Sequence, residues 1–216
     1  MKSFTTLISM FCIAAMILFG CNKDDSPKKD YVESIKDKTW WGTLTYTGQK
    51  AEYYSVHFNA DKSLLWSQLS GDYPGIWEIN DKHLKMTFPS LKSEIDGDIS
   101  KNDTLLNISD NNATVTINSG KLIANPHIIL DNTVWLGSAN MTTAKVLELT
   151  FIAGSLIKIN IENSTIKTYA YTRSLSGSVF RATLTGGDVF FGVTTSDNQM
   201  KGSIGKSDNP WQTIKQ

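Results

Sequence analysis

Apolar side chains alternate with polar ones through most of the chain after Trp40. The clearest runs place apolar residues two positions apart: Tyr54, Val56 and Phe58; Leu84, Met86 and Phe88; Leu147, Leu149 and Phe151; Ile157, Ile159 and Ile161. This spacing puts one face of a β-strand in a core and the other in water. Turn-forming clusters such as Ser70-Gly71-Asp72 and Gly186-Gly187-Asp188 separate the runs. The sequence therefore predicts an all-β antiparallel meander, closed as a barrel or folded as a sandwich.

The strand pattern recurs in a second copy. The segment Asp37–Gly42 (DKTWWG) is echoed by Asp131–Gly137 (DNTVWLG), with one residue inserted. Further along, Phe58–Leu64 is loosely matched by Phe151–Leu156. Self-similarity over a domain-sized interval indicates duplicated domains. We therefore expect two small tandem β-domains joined near Asn125-Pro126. One larger barrel formed by both halves is the alternative.

The N-terminus has the pattern of an export signal. Lys2 supplies a positive charge, and the run Leu7–Phe19 is apolar apart from Ser9. That run is shorter than the ~20 apolar residues that cross a bilayer, and it suits the core of a cleaved signal peptide. The run ends in Leu18-Phe19-Gly20-Cys21, which resembles the bacterial lipobox. The resemblance implies cleavage before Cys21 and lipid on its sulfur, which anchors the mature chain to a membrane.

Processing at this site would leave no free thiol. Cys12 lies in the removed segment and Cys21 is the lipid site, so stability must come from the core without a disulfide. The chain has 21 basic and 21 acidic side chains, and removal of Lys2 leaves one net negative charge. Phosphate binding needs a basic face, so we expect no nucleic-acid partner for this near-neutral body.

A charged segment follows the proposed lipid site. Residues Asn22–Asp30 contain no apolar residue other than Pro27, which is typical of a flexible tether. The pair Asp24-Asp25 resembles the export signals of surface lipoproteins in Bacteroidota. That resemblance implies the outer membrane, at the cell surface or on the periplasmic face. Only Tyr31–Lys38 has the pattern of a helical turn. The expected division of the chain is a signal peptide (1–20), a lipidated flexible tether (21–35), a first β-domain (36–125) and a second β-domain (131–216).

The strand motifs resemble those of the lipocalin-like domains of bacterial lipoproteins. The first copy shares a tryptophan-glycine opening of the first strand, Phe58-x-x-Asp61 before a hairpin, and Gly75-Ile76-Trp77. The second copy shares Phe191-Gly192, Met200-x-Gly202 and the closing Trp211–Lys215. The resemblance implies small eight-stranded barrels, which either hold a ligand or are filled by their own side chains.

The aromatic residues supply the candidate binding site. In lipocalin-like barrels the tryptophan of the first strand closes one end, so we expect Trp41 and Trp135 to be structural. The first copy has further aromatic residues that could form a wall for an apolar ligand, or for a sugar stacked on the ring faces. These candidate ligand-binding residues are Tyr54, Phe58, Trp66 and Trp77.

Residues suited to metal binding are few. The histidines His57, His83 and His127 share no ligand-like spacing, and alternation places the first two on outer strand faces. The acidic run Glu94–Asp98 places three carboxylates on one strand face and matches no calcium loop. We interpret both sets as solvated surface and expect no metal site.

No motif in the sequence indicates catalysis. Nucleophile elbows, phosphate loops and dinucleotide-binding fingerprints are lacking. The segment Ser176-Gly177-Ser178 is superficially similar to the Ser-Gly loop of bacterial lysozyme-inhibitor lipoproteins, but the flanking residues differ and a hairpin turn explains the glycine. We therefore expect no catalytic residues, and no cofactor other than the lipid on Cys21.

Two functions are compatible with these features. The first is a membrane-anchored, non-catalytic binding module whose barrel mouth holds a small apolar or sugar-like ligand. The second is an envelope protein with filled barrels that meets an unspecified protein partner through its outer faces and loops. The volume of the barrel interior distinguishes them, since ligand sites occupy about 300 Å³ or more.

Overall fold

The structure is a computed structural model that describes residues 29–111, 115–118, 120–124, 126–174, 176–205 and 209–216. The proposed signal peptide, the lipid site Cys21 and most of the predicted tether lie outside the described residues. The last part of that tether is structured, because Tyr31–Ile35 forms a short helix, α1, whose N-terminus is capped by the Asp30 side chain. Ile35 is fully buried, so the expectation of a flexible tether up to residue 35 is wrong for this part. No helix among the described residues has the length and apolar character needed to cross a membrane.

The remaining regular structure of the described residues consists of β-strands. In the first half these are β1 (Lys38–Tyr46), β2 (Glu52–Phe58), β3 (Ser63–Gln68), β4 (Gly71–Asn80), β5 (His83–Phe88), β6 (Ser93–Ile99), β7 (Thr104–Asp110), β8 (Val115–Ile117) and β9 (Gly120–Ile123). In the second half they are β10 (Thr133–Asn140), β11 (Ala144–Ile152), β12 (Leu156–Ile161), β13 (Lys167–Arg173), β14 (Val179–Thr183), β15 (Val189–Ser196), β16 (Gln199–Ile204) and β17 (Asn209–Lys215).

The first half closes into an eight-stranded antiparallel barrel. Each strand from β1 to β6 pairs with the next one along the chain, and β7 pairs with β9. Closure occurs at β1, where Trp40 lies opposite Val56 of β2 and Leu122 of β9. The short strand β8 pairs with the end of β1 beyond β9, so β8 and β9 together fill one strand position.

The second half forms its own closed barrel from β10 to β17. The last strand returns to the first, so that Leu136 of β10 lies opposite both Glu148 of β11 and Ile214 of β17. The predicted all-β fold of two tandem lipocalin-like barrels is thereby confirmed. The alternative of one larger barrel is not the fold that forms.

Each barrel has a separate apolar core that follows the predicted alternation. The inward-facing residues of all four alternating runs are buried, apart from the half-buried Ile161 at the end of β12. In the second barrel, Trp135 is fully buried as expected. In the first, Trp40 is the tryptophan that enters the core, whereas Trp41 faces outward and is half-buried. The expectation that Trp41 closes the barrel is wrong, because adjacent strand residues point to opposite faces.

A third apolar cluster joins the outer surfaces of the two barrels. It contains Leu69 and Ile123 from the first barrel with Val179, Phe191 and Val193 from the second, and Trp41 packs against it. Strand β15 is consequently buried on both faces over Phe190–Thr195. The barrels therefore pack against each other through an apolar interface.

Polar contacts also cross this interface. Ser55 of β2 and Ser178 lie 3.0 Å apart between their hydroxyl oxygens, and Ser176 continues the chain at 2.9 Å from Ser178. Arg181 of β14 reaches the turn between β3 and β4, where its Nη2 donates to the carbonyl oxygens of Gln68 at 2.6 Å and Gly71 at 2.8 Å. Its Nη1 forms an ion pair with Asp72 at 2.8 Å. The second barrel thus holds one turn of the first.

Lys29 fixes the chain at one end of the first barrel. Its Nζ donates to the carbonyl oxygens of Ser100 at 3.0 Å and Lys101 at 2.9 Å, and it lies 2.6 Å from the Asp103 carboxylate. These acceptors form the turn between β6 and β7. The N-terminal segment therefore meets the barrel at the end that holds this turn and helix α1.

Candidate functional site

The opposite end of the first barrel contains an open pocket of about 260 Å³. Residues from β1, β3 to β8 and the loop before β6 line it, all near the strand ends away from α1. They are Leu44, Tyr46, Trp66, Gln68, Tyr73, Phe88, Leu91, Ser93, Ile95, Asp110, Val115 and Ile117. The mouth is bordered by the β1–β2, β3–β4 and β5–β6 connections. The site therefore has the position expected of a ligand pocket in a small β-barrel.

Stacked aromatic rings form the floor of the pocket. Trp66 lies parallel to Tyr54, with ring centroids 4.1 Å apart and planes inclined by 12°. Phe88 meets Trp66 edge-on at 6.1 Å. Gly42 allows this arrangement, because a Cβ atom at that position would lie 2.6 Å from the Tyr54 hydroxyl oxygen. The floor is thus a rigid, apolar surface.

Above the floor, a chain of hydrogen bonds joins the polar side chains of the rim. Trp66 Nε1 donates to Gln68 Oε1 at 2.8 Å. The amide nitrogen of Gln68 donates to the Tyr46 hydroxyl at 2.7 Å and to Ser70 Oγ at 2.8 Å. Ser70 Oγ in turn lies 2.9 Å from the Tyr73 hydroxyl. This chain fixes the orientation of the tyrosine rings at the mouth.

The charge in the pocket is negative. Among the described lining residues Asp110 supplies a carboxylate, and it accepts a hydrogen bond from Ser93 Oγ at 3.2 Å. Burial raises the pKa of the Tyr46 hydroxyl above its ordinary value by more than the hydrogen bond from Gln68 lowers it. Tyr46 therefore stays protonated and can act as a neutral hydrogen-bonding group at the mouth.

The four predicted binding residues lie at different depths in the barrel. Trp66 lines the pocket, and Tyr54 lies directly beneath it. Phe58 and Trp77 are packed edge-to-face at 5.9 Å. They belong to the filled part of the core, where Trp77 Nε1 donates to the carbonyl oxygen of Asn59 in the β2–β3 turn.

Sequence reasoning missed the polar residues of the pocket. Tyr46, Gln68, Tyr73 and Asp110 lie at the ends of strands, next to the connections at the mouth. A signal was present in β3, where Gln68 follows Trp66 at a spacing of two and so shares its inward face. The other three residues come together only when the barrel closes.

Among its described residues the second barrel has no comparable aromatic floor inside the barrel, although a void of about 370 Å³ beside it is lined by Tyr53 of the first barrel together with Trp211. Its core is filled by large side chains: Trp135, Phe151, Phe180, Phe190, Met200 and Trp211. Phe190 stacks on Trp211 with centroids 4.8 Å apart. A void of about 240 Å³ at the rim is lined mainly by aliphatic side chains and Tyr169. The two copies therefore differ in whether an aromatic floor is accessible.

A wider cleft lies between the barrels, with a volume of about 430 Å³. It is lined on one side by Tyr46, Glu52 and Leu69, and on the other by glycines and Asp188. Tyr46 is the one aromatic residue among its described lining residues, so the cleft offers less aromatic surface than the pocket in the barrel mouth. We therefore assign the candidate site to the barrel mouth.

The histidines and carboxylates that we interpreted as solvated surface are exposed or half-buried. His83 is exposed and lies 3.2 Å from Asp96, and Glu94 pairs with Lys85 at 3.1 Å. His57 is only half-buried on its outer face, and burial lowers its pKa below the ordinary value. In the described parts of the chain, no group of three or more His, Cys, Asp or Glu residues is placed to hold a metal ion.

The segment Ser176-Gly177-Ser178 forms a turn at the contact between the two barrels. Gly177 adopts a positive φ of 72° in the turn before β14, as a hairpin glycine does. Ser176 and Ser178 are buried at the contact with the first barrel. These serines therefore contribute to the interface between the barrels.

Comparison with known proteins identifies no relative of this chain. No protein-family model, curated protein or solved structure matches the chain. The candidate site is accordingly defined by its own geometry: an aromatic floor, a hydrogen-bonded rim and one carboxylate at the mouth of the first barrel.

Proposed function

We propose that this protein is a membrane-anchored lipoprotein that binds a small apolar or sugar-like ligand, without catalysis, in the mouth of its first barrel. The pocket floored by Trp66 carries this proposal. Flat aromatic surface stacks on apolar or sugar rings, and fixed polar groups at a rim orient a ligand. The volume of about 260 Å³ lies just below the ~300 Å³ at which ligand sites usually begin, so it suits a small ligand better than a long acyl chain.

A matched pair of substitutions tests the site. Tyr73 and Tyr169 are both half-buried tyrosines, one at the pocket and one at the rim of the second barrel. Tyr73→Ala should weaken binding of a ligand found by native mass spectrometry about fivefold, because an aromatic contact contributes on the order of 1 kcal/mol. Tyr169→Ala should leave affinity unchanged. Equal effects of the two substitutions would show that the ligand binds elsewhere.

The membrane anchor has its own test. Cys21→Ala should release the protein into the soluble fraction, because no other residue would carry lipid. Retention of this variant in the membrane fraction would contradict the lipobox interpretation and leave the pocket proposal intact.

The alternative is an envelope protein that meets a protein partner through outer strand faces. The exposed pair Leu136 and Ile214, directly opposite on β10 and β17, favours this function for the second barrel. Val134 and Val146 are also exposed on β10 and β11. Leu136→Lys should abolish a partner complex if this face binds, and it should leave ligand affinity unchanged.

A further inference from the structure

The described lining of the pocket has no side-chain N–H group to offer an anion. Only Trp66 and Gln68 carry such groups there, and all of them donate within the protein. Trp66 donates to Gln68, and both amide hydrogens of Gln68 are used by Tyr46 and Ser70. Carboxylates and phosphates are held in proteins mainly by N–H donors and basic side chains. The described lining therefore offers an anion only hydroxyl groups, without a free N–H donor or a basic side chain.

Charge in the same lining disfavours an anion directly. Asp110 contributes a carboxylate, and no lysine or arginine is among the lining residues that the structure describes. The nearest basic residues of the mouth loops by sequence, Lys50 and Lys92, are exposed to solvent. An anion in the pocket would be desolvated next to a like charge, which is unfavourable at low dielectric.

Aromatic faces in the pocket suit a cation. Tyr46, Trp66 and Tyr73 line one cavity together with Asp110. The faces of aromatic rings carry negative electrostatic potential and attract ammonium groups, most strongly where water is excluded. A carboxylate beside such faces adds direct ionic attraction. The combination supplies both an apolar floor and a partner for positive charge.

We propose that the pocket selects small organic cations, namely amines or quaternary ammonium compounds with an apolar body. This inference rests on the proposed binding function and specifies the ligand class. The apolar body stacks on Trp66, and the ammonium group lies between the Tyr46 and Tyr73 rings and the Asp110 carboxylate. Neutral molecules of the same shape bind more weakly, and anions bind least.

Three probes of nearly equal size test the charge preference on the full mature protein. They are 2-phenylethylammonium, the neutral 2-phenylethanol and the anionic phenylacetate, with affinity measured by calorimetry and by quenching of tryptophan fluorescence. We expect the ammonium compound to bind about tenfold more tightly than the alcohol. Raised salt should reduce this ratio, because the ionic part is screened.

Asp110→Asn removes the charge and keeps the shape of the side chain. We expect it to weaken binding of the ammonium compound about tenfold and so to bring the affinity ratio of ammonium to alcohol close to one. Asp197→Asn, at an exposed aspartate of the second barrel, is the control and should preserve the ratio.

The possible outcomes separate this inference from the proposed function. Equal binding of ammonium and alcohol, or tighter binding of phenylacetate, would overturn the charge preference and leave a ligand pocket in place. Absence of binding by all three probes would overturn the selection of organic cations, and the Tyr73→Ala comparison would then test the proposed function on its own. An unchanged ratio in Asp110→Asn would show that the preference arises from another group.

Discussion

Arg181 provides the most direct test of how the two barrels support each other. Its guanidinium is 19% exposed and donates to two backbone carbonyls of the β3–β4 turn, those of Gln68 and Gly71. It also stacks on Phe191, with its central carbon 5.0 Å from the ring centroid. Arg181→Met keeps the length of the side chain and its packing on the ring, and it removes every N–H donor.

The expected loss of stability follows from these contacts. A partly buried acceptor that loses a charged donor destabilises a protein by about 1–3 kcal/mol. The ion pair with Asp72, whose side chain is 41% exposed, adds less than about 1 kcal/mol because solvent screens it. Arg181→Met should therefore lower the free energy of unfolding by about 2 kcal/mol.

Urea denaturation followed by tryptophan fluorescence measures this change, and hydrogen exchange locates it. The amides of Gln68–Tyr73 should exchange faster in Arg181→Met, since this turn loses its support. Asp72→Asn is the control for the ion pair alone and should reduce stability by less than about 1 kcal/mol. A stability of Arg181→Met within about 0.5 kcal/mol of the native protein, with unchanged exchange in the turn, would refute the reasoning.

Two further predictions concern the cores. Residues 126–216 expressed alone should melt cooperatively, because the second barrel is closed; a broad melt would show that this barrel depends on the first. The fragment should self-associate in size-exclusion chromatography, because Phe191 is no longer covered by the first barrel. Phe191→Lys should restore the monomer. Burial raises the pKa of Tyr54 above its ordinary value of 10.0, so the folded protein keeps a proton that the unfolded chain loses above pH ~10. Stability should therefore fall by about 1.4 kcal/mol per pH unit from this residue as the pH rises above ~10. Tyr54→Phe should remove that slope, and equal slopes in urea titrations of both proteins would contradict the burial of the phenol.

The fold could be predicted largely because alternation is a local property. The runs ending at Phe58, Phe88 and Phe151 each identify a strand and its buried face without knowledge of neighbouring strands. The adjacent pair Trp40-Trp41 was ambiguous, since a shift of one residue exchanges the two faces. Only pairing with β2 and β9 shows that Trp40 points inward.

The interface between the barrels was harder to predict. The run Val189–Val193 is almost continuously apolar, which indicates a strand covered on both faces. One face belongs to its own barrel, but the sequence does not say what covers the other. The partner residues, Leu69 and Ile123, lie far away along the chain and meet this strand only in the assembled fold.

Of the four residues predicted to bind a ligand, Trp66 lines the candidate pocket and the other three lie deeper in the barrel. Alternation tells which side chains point inward, but it does not tell how far along the barrel axis they lie. Phe58 and Trp77 point inward near the turns at the α1 end, whereas Trp66 lies nearer the mouth. Asp110 was not predicted to line the pocket, because its position there depends on where β7 ends relative to β3 and β4.

The placement of Lys29 and helix α1 determines the direction in which the pocket faces. Strands of seven to nine residues, such as β1 and β2, rise about 3.3 Å per residue, so the mouth lies roughly 25 Å from the point where the N-terminal segment meets the barrel. With lipid on Cys21, the α1 end would be nearest to the bilayer and the mouth would open toward the aqueous phase. A ligand would then enter from solution, so occupancy of the pocket would follow the concentration of dissolved amines outside the membrane and would be insensitive to the composition of the lipids below.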